Sequence, residues 1–202
     1  LLQGGEEWRD VAGVTERGLA SGRQVYLVKP MPGLELAFEL DEPAAGAAPV
    51  GKAAGRLGPP VRVRDAVAST APDHPAGIVF GERLELVGYD LAPARARPGG
   101  AQQIVLYWRA LGPLDRNYVI SVQLIGADSA KAGQSDERPG GEFLPMTGWR
   151  AGAVLRDART IAIAPAAAPG TYALLVAIYD GAADPPVYLG EPQTVGSVEV
   201  GP

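Results

Sequence analysis

The feature that most restricts the fold of this chain is a uniform series of apolar segments that alternate with polar residues from Ile78 to the C-terminus. Pro, Gly and Asp turns separate these segments, and no helical period intervenes. This pattern predicts an antiparallel, immunoglobulin-like β-sandwich and excludes the βαβ units of a doubly wound nucleotide fold. The candidate strands are residues 84–91, 103–110, 118–126, 154–163, 171–180 and 195–200.

The core of the sandwich follows from the two-residue period of a strand, because alternate side chains share one face. Three rows of large apolar side chains are therefore expected to point inward. They are Ile104, Leu106 and Trp108; Tyr118, Ile120, Val122 and Leu124; and Tyr172, Leu174, Val176 and Ile178.

The first 77 residues follow a different pattern. Apolar residues at helical spacing predict one helix over residues 6–20, with Trp8, Val11, Ala12, Thr15 and Leu19 on one face. Residues 24–28 and 34–40 predict two strands of a hairpin. We therefore expect a helix and hairpin segment at 1–45 and an Ala/Gly/Pro-rich linker or long loop at 46–77. A candidate brief strand lies at 61–63, and the sandwich occupies 78–202.

Composition excludes several kinds of function. The chain has no cysteine and one histidine, so a disulfide, a thiol nucleophile and a multi-histidine metal site are ruled out. The net charge of −5 argues against a nucleic-acid partner. Gly-rich turns at 97–100 and 138–141 lack the spacing of a phosphate loop. No cofactor, metal or catalytic residue is predicted.

Two weaker signals favour structural interpretations. His74 has no Ser, Cys or second His beside it in the sequence, so we interpret it as a solvated loop histidine. Carboxylates recur around a Gly-rich hairpin, but their spacing matches no calcium loop, and acidic residues are common turn formers. These carboxylates are Asp128, Asp136, Glu137 and Glu142.

The outward faces of the central strands carry the strongest candidates for ligand binding. If Trp108 points inward, Tyr107 and Arg109 point outward, as does Gln123 on the next strand, while Trp149 lies in a loop. Aromatic rings beside Arg and Gln suit a sugar ring, because its C–H-rich face packs on a flat π surface. The alternative is structural: Tyr107 covers a sheet face, and Trp149 closes one end of the sandwich.

Four motifs resemble a known family. They are FGERLELVGYDL (80–91), IVLYWRALGPLDRNY (104–118), GWRAG (148–152) and PGTYALLVAIYD (169–180). This series is similar to the C-terminal extracytoplasmic β-sandwich of multi-spanning bacterial membrane glycosyltransferases of the protein O-mannosyltransferase type. The upstream stretch GRQVYLVKPMPG (22–33) resembles the segment that precedes the sandwich in such proteins.

The resemblance implies a non-catalytic accessory domain on the extracytoplasmic side of the cell membrane. Its partners would be the membrane-embedded remainder of the parent protein and a glycan or acceptor. Because the chain begins at Leu1 and contains no apolar run of membrane-spanning length, we expect it to be a piece of a longer protein. Two alternatives stay open. One is a stand-alone carbohydrate-binding module, and the other is a hydrolase that uses paired carboxylates.

Overall fold

The computed structural model describes residues 11–27, 31, 33–41, 60–66, 71–141 and 143–201, which form two compact units. Unit 1 contains the described residues up to Ala66 and those of 140–145, and unit 2 contains 71–139 and 146–201. The elements of unit 1 are α1 (Val11–Ala20), β1 (Val25–Leu27), β2 (Phe38–Leu40) and β3 (Val61–Ala66). The strands of unit 2 are β4 (His74–Phe80), β5 (Leu84–Ala92), β6 (Arg95–Ala96), β7 (Ala101–Ala110), β8 (Val119–Ile125), β9 (Lys131–Glu137), β10 (Val154–Ala162), β11 (Gly170–Asp180), β12 (Val187–Tyr188) and β13 (Gln193–Val200).

Unit 1 is a three-stranded antiparallel sheet beside the helix, and it has a small core of its own. The strand order is β1-β3-β2, so the strand latest in sequence lies in the middle. Apolar side chains from the helix, all three strands and the turn before β2 pack together because each buries its apolar surface against the others. The buried members of this core are Val11, Leu27, Leu34, Phe38 and Val63.

The sheet of unit 1 corrects the predicted hairpin. Residues 24–28 and 34–40 were expected to pair with each other, but β1 and β2 both pair with β3 instead. The strand β3 lies inside the range 46–77 that was predicted as a linker or long loop, and it extends the brief strand expected at 61–63. Alternation along a segment indicates a strand but does not identify the strand with which it pairs. The pairing of β1 and β2 with the distant β3 therefore could not be predicted from the sequence.

The residues 34–40 also differ from the continuous strand that their alternation predicts. A 3₁₀ turn occupies Leu34–Leu36, and only Phe38–Leu40 is extended. Gly33 precedes the turn with φ 104°, and its backbone N–H donates to the Glu35 carboxylate at 2.8 Å. This local hydrogen bond offers the backbone an alternative to the sheet. Leu34 and Leu36 are buried as predicted, but in a different backbone conformation.

The helix predicted over 6–20 is confirmed from Val11 to Ala20. Val11 and Thr15 are buried on its inner face, while Ala12 and Leu19 are partly buried. Trp8 and the expected first turn lie outside the described residues, as do residues 46–59 of the predicted linker.

Unit 2 is the antiparallel β-sandwich that the sequence predicts. One sheet has four strands in the order β10-β7-β5-β4. The other has six, in the order β6-β13-β11-β8-β9, with β12 paired to β11. All neighbouring strands are antiparallel except β6 and β13. The predicted strands reappear within a few residues of their expected bounds, while β9, β4, β6 and β12 were not predicted.

The three predicted core rows are confirmed, since each of their members is buried between the sheets. Tyr172, at the start of β11, donates its hydroxyl hydrogen bond to the Ala168 carbonyl at 2.9 Å. This bond to the backbone four residues upstream matches the tyrosine corner of immunoglobulin-like sandwiches. It satisfies a buried hydroxyl and fixes the turn that leads into the strand.

A buried ion pair interrupts the apolar interior. Asp157 and Arg159 occupy successive inward positions of β10, and the Arg159 side chain is 0% exposed. Arg159 donates to Asp157 Oδ2 from Nε at 2.9 Å and from Nη2 at 2.7 Å. Its Nη1 donates across the core to the Ile120 carbonyl at 2.7 Å. The guanidinium therefore connects the two sheets.

The sandwich is closed along one side, where β9 and β10 approach each other. The Ala164 N–H donates to the Ala132 carbonyl at 2.7 Å, just beyond the end of β10. At Gly133 a Cβ atom would lie 2.5 Å from the Ala162 carbonyl oxygen, so only glycine fits this approach without displacing backbone. We call this contact of 132–133 with 162–164 the seam.

Candidate functional site

Two of the four predicted ligand-binding residues lie on the outward face of the four-stranded sheet. Tyr107 is buried, and its hydroxyl donates to Asp90 Oδ2 at 2.6 Å. Arg109 pairs with Glu85, its Nη1 lying 2.8 Å from Oε2. Both side chains therefore have partners on the neighbouring strand β5, as the structural interpretation of this face requires.

The other two predicted residues lie elsewhere, so the structure does not bring the four together. Gln123 is on β8 of the six-stranded sheet, whose outward face is on the opposite side of the sandwich. Trp149 follows the short 3₁₀ turn Met146–Gly148 and is 4% exposed, with its backbone N–H 3.1 Å from the Met146 carbonyl. A ligand could reach the Trp149 ring only if the surrounding chain moved.

A different set of side chains surrounds Gln123, and we call it the tyrosine face. Its members point outward from neighbouring strands of the six-stranded sheet, as the register of β8 with β9 and β11 requires. The floor consists of small residues, while aromatic and polar side chains and one leucine stand around it. The tyrosine face comprises Ser121, Gln123, Gln134, Asp136, Leu175, Ala177, Tyr179 and Tyr188.

Two aromatic rings lie at one end of the tyrosine face. Tyr179 on β11 is paired with Tyr188 on β12, and their ring centroids are 5.8 Å apart with 52° between the planes. Tyr188 is 53% exposed, although large aromatic side chains usually bury more of their surface. Burial, followed by the nearby Asp136 carboxylate and Tyr188, raises the pKa of Tyr179, while Arg138 acts in the opposite direction. The Tyr179 hydroxyl can donate a hydrogen bond.

A strip of hydrogen-bonding side chains continues from the rings along β8 and β9. Gln123 Nε2 donates to Ser121 Oγ at 2.9 Å. On the neighbouring strand Gln134 accepts from Lys131 and donates to Asp136. Gln134 and Asp136 are exposed, so they retain lone pairs and N–H groups that face solvent.

The exposed ring of Tyr188 is held by its neighbours in the chain. The Leu189 N–H donates to the Ile178 carbonyl at 2.8 Å, which continues the pairing of β12 with β11. Leu189 in turn packs closely on Gly81, where a Cβ atom would lie 2.5 Å from Leu189 Cδ1. The backbone that carries Tyr188 is therefore held in place before any ligand arrives, which lowers the entropic cost of binding.

The remaining candidates from the sequence have local structural roles. Asp128 Oδ1 accepts the Ala130 N–H at 3.0 Å, as expected of a turn former, and Glu137 accepts from the Ser135 hydroxyl at 2.6 Å. Glu142 lies outside the described residues. His74 is exposed and begins β4, with its ring stacked on Tyr89 at 4.9 Å. No group of three or more His, Asp or Glu that could hold a metal ion occurs among the residues described.

A network of charged side chains occupies the end of the sandwich beside Tyr179. Asp180 accepts the Ala182 N–H at 3.0 Å and pairs with Arg116, and these two contacts, in that order, hold the pKa of Asp180 below its usual range. Asp115 accepts from the Tyr118 hydroxyl at 2.8 Å, and this bond is the main cause of its lowered pKa. Both carboxylates are therefore stabilised in their charged form.

These lowered pKa values predict loss of stability in acid. A carboxyl whose pKa is lower in the folded than in the unfolded chain stabilises the fold above its unfolded pKa of about 3.9. That contribution is lost as the pH falls through the lower folded value. We expect the urea concentration at the unfolding midpoint to decrease as the pH is lowered from about 5 to about 2. Asp180→Asn should make this decrease smaller. Asp184→Asn, in the loop that follows β11, is the control, and an equal slope in the two variants would refute the assignment.

Two cavities of about 290 Å³ each lie elsewhere on unit 2. One is lined mainly by alanines with Asp128, Lys131 and Tyr172, and the other by residues that include Arg95 and Arg97 but no carboxylate. Glycoside hydrolysis requires two carboxyl groups that face each other across a cleft. Neither cavity supplies such a pair, so these two cavities give no support to the hydrolase alternative.

Comparisons with known proteins identify no family for this chain. No family model and no curated protein matches it. Among solved structures 13 chains match. One is a crystal structure of the C-terminal domain of wzt, which is 12% identical. The match covers 64% of this chain and 83% of that chain, with a TM-score of 0.47. A likeness at this level says nothing about the ligand of this chain.

In the described part of the chain no helix is both long and apolar enough to cross a membrane.

Proposed function

We propose that unit 2 is a non-catalytic glycan-recognition domain and that the tyrosine face is its binding surface. The observation that supports this proposal is the pair of Tyr179 and Tyr188 beside a strip of amide, hydroxyl and carboxylate groups. Aromatic rings offer a flat apolar surface to the C–H face of a sugar, and planar polar side chains bind its hydroxyls. Gln123 is the one predicted ligand-binding residue that belongs to this surface.

The wider context of the domain is also part of the proposal. In that context the domain lies on the extracytoplasmic side of a membrane glycosyltransferase-like parent, where it positions a glycan or acceptor for the membrane-embedded part. The four motifs that resemble such proteins support this role. It is tested by the gene sequence around the chain, which should encode several apolar spans of about 20 residues each. A secretory signal with no such spans would instead favour a stand-alone carbohydrate-binding module.

Removing the exposed ring is the direct test of the tyrosine face. We expect Tyr188→Ala to weaken glycan binding by about tenfold or more, because aromatic anchors at binding surfaces commonly contribute more than about 1.4 kcal/mol. The measurement is a glycan array with the full chain, followed by calorimetry on the sugar that binds best.

The matched control is Tyr26→Ala. Tyr26 is 49% exposed, close to the 53% of Tyr188, but it lies on β1 in unit 1. This variant should bind like the parent chain. If the array shows no binding, or if both variants bind equally, the proposal is wrong.

A further inference from the structure

Charges of both signs lie around the tyrosine face. Lys131 and Asp136 both bond to the side chain of Gln134, which joins a cation and an anion through one amide. Arg138 lies beside Tyr179. On the far side of the same outward face, Glu199 accepts from the Thr171 hydroxyl at 2.5 Å and is the register partner of Arg95. Interspersed charges of this kind form no single-sign patch that would attract a charged polymer.

The polar groups of the tyrosine face repeat along the strands. Ser121 and Gln123 are two residues apart on β8, and Gln134 and Asp136 are two residues apart on β9. Two residues of a strand span about 7 Å, and the four residues from Val119, which pairs with Tyr179, to Gln123 span about 13 Å. The buried Ser121 and Ala177 form a low floor between the taller side chains. The groups that bind hydroxyls therefore form an extended row instead of converging on one point.

From this row and these interspersed charges we infer that the tyrosine face binds the interior of an extended, neutral polysaccharide chain. One sugar ring packs on Tyr179 and Tyr188, and the following sugars lie along β8 and β9 over Gln123 and Gln134. A polar row with repeated spacing matches a ligand that repeats its hydroxyls, whereas a terminal sugar would require a closed pocket. This inference rests on the proposed glycan-recognition function.

The experiment compares ligand length and charge by calorimetry on the full chain. The probes are neutral mannose and glucose mono-, tri- and hexasaccharides, with oligogalacturonates of equal length as the acidic counterparts. We expect affinity for a neutral hexasaccharide to exceed that for the monosaccharide by about tenfold or more, because more of the row is engaged. Affinity should change by less than about twofold between about 0.05 and 0.5 M NaCl.

A variant pair locates the row. Gln134→Ala should weaken binding of the neutral hexasaccharide by about fivefold and leave monosaccharide binding unchanged, since a single sugar contacts only the rings. Gln103→Ala is the control, because Gln103 is exposed on the four-stranded sheet on the opposite side of the sandwich.

The outcomes separate this inference from the function on which it rests. Equal affinity for the mono- and hexasaccharide, tighter binding of the acidic oligomers, or a hexasaccharide affinity unchanged in Gln134→Ala would overturn the inference while glycan recognition stands. Absence of binding to every sugar, on the array and by calorimetry, would overturn both.

Discussion

Replacing Asp157 with alanine is expected to lower the free energy of unfolding of the sandwich by about 3–5 kcal/mol. The substitution removes the carboxylate that accepts two hydrogen bonds from Arg159, whose side chain is 0% exposed. It also removes the acceptor of the Trp108 indole N–H, 3.4 Å away. A guanidinium would then remain buried, with a hydrogen bond to the Ile120 carbonyl but no carboxylate beside it. Its desolvation would no longer be offset by an opposite charge.

The measurement is urea unfolding monitored by tryptophan fluorescence, because Trp108 and Trp149 are both buried in unit 2. The double variant Asp157→Leu/Arg159→Met removes both charges. It should be more stable than Asp157→Ala, because no unpaired charge stays buried, although the Trp108 indole N–H again loses its acceptor. Glu85→Ala breaks the partly exposed pair with Arg109 and should cost no more than about 1 kcal/mol. A cost below about 1 kcal/mol for Asp157→Ala would show that the buried pair is not what holds Arg159.

The second large effect is expected at Gly33. This residue has φ 104°, and a Cβ atom added to it would lie 1.7 Å from the Gly140 carbonyl oxygen. We expect Gly33→Ala to destabilise unit 1 by more than about 3 kcal/mol. An alanine is unfavourable in the left-handed backbone conformation, and its methyl group would overlap the Gly140 carbonyl oxygen. Two backbone segments of unit 1 would have to separate to admit one methyl group.

Gly22→Ala is the matched control for this effect. Gly22 also has positive φ, at 72°, but nothing lies within 4 Å of its added Cβ position. The cost there should be only about 1–2 kcal/mol, which is the cost of the backbone conformation alone. Hydrogen exchange of peptides that cover 11–27, 33–41 and 60–66 reports on unit 1, and peptides from β11 serve as the internal reference. Equal protection in the two variants would show that the close approach to Gly140 is relaxed at no cost.

How well the sequence predicted the fold depended on whether a strand buries one face. The rows that contain Trp108, Ile120 and Leu174 were predicted correctly because each strand alternates large apolar and smaller or polar residues. The strand β9 was missed because only Ala132 and Ser135 of its seven residues are buried, so its sequence has no apolar period. Asp157 and Arg159 were not recognised as core residues because charged side chains are rarely buried unless paired, and the pairing is visible only in the structure.

Part of the candidate site could be predicted, because the two-residue period of a strand decides which side chains point outward. Tyr179 follows from parity, since Tyr172 and Ile178 point inward and the residue after Ile178 must point outward. The sequence therefore contains the signal that places Tyr179 on the outward face. Tyr188 could not have been found, because β12 has two residues and its position beside Tyr179 depends on a loop that returns to the edge of β11. Tyr107 and Gln123 seemed to share a face only because the sequence does not reveal which sheet each strand joins.

The seam has a consequence for how separate molecules of this protein behave toward one another. In a sandwich with exposed edge strands, unpaired backbone N–H and C=O groups can pair with a strand of a second molecule and extend the sheet. Here the edge strands β9 and β10 face each other. The hydrogen bond between the Ala164 N–H and the Ala132 carbonyl uses two backbone groups that could otherwise pair with another molecule. The close approach at Gly133 therefore leaves fewer backbone groups on this side of the sandwich to pair with a second molecule.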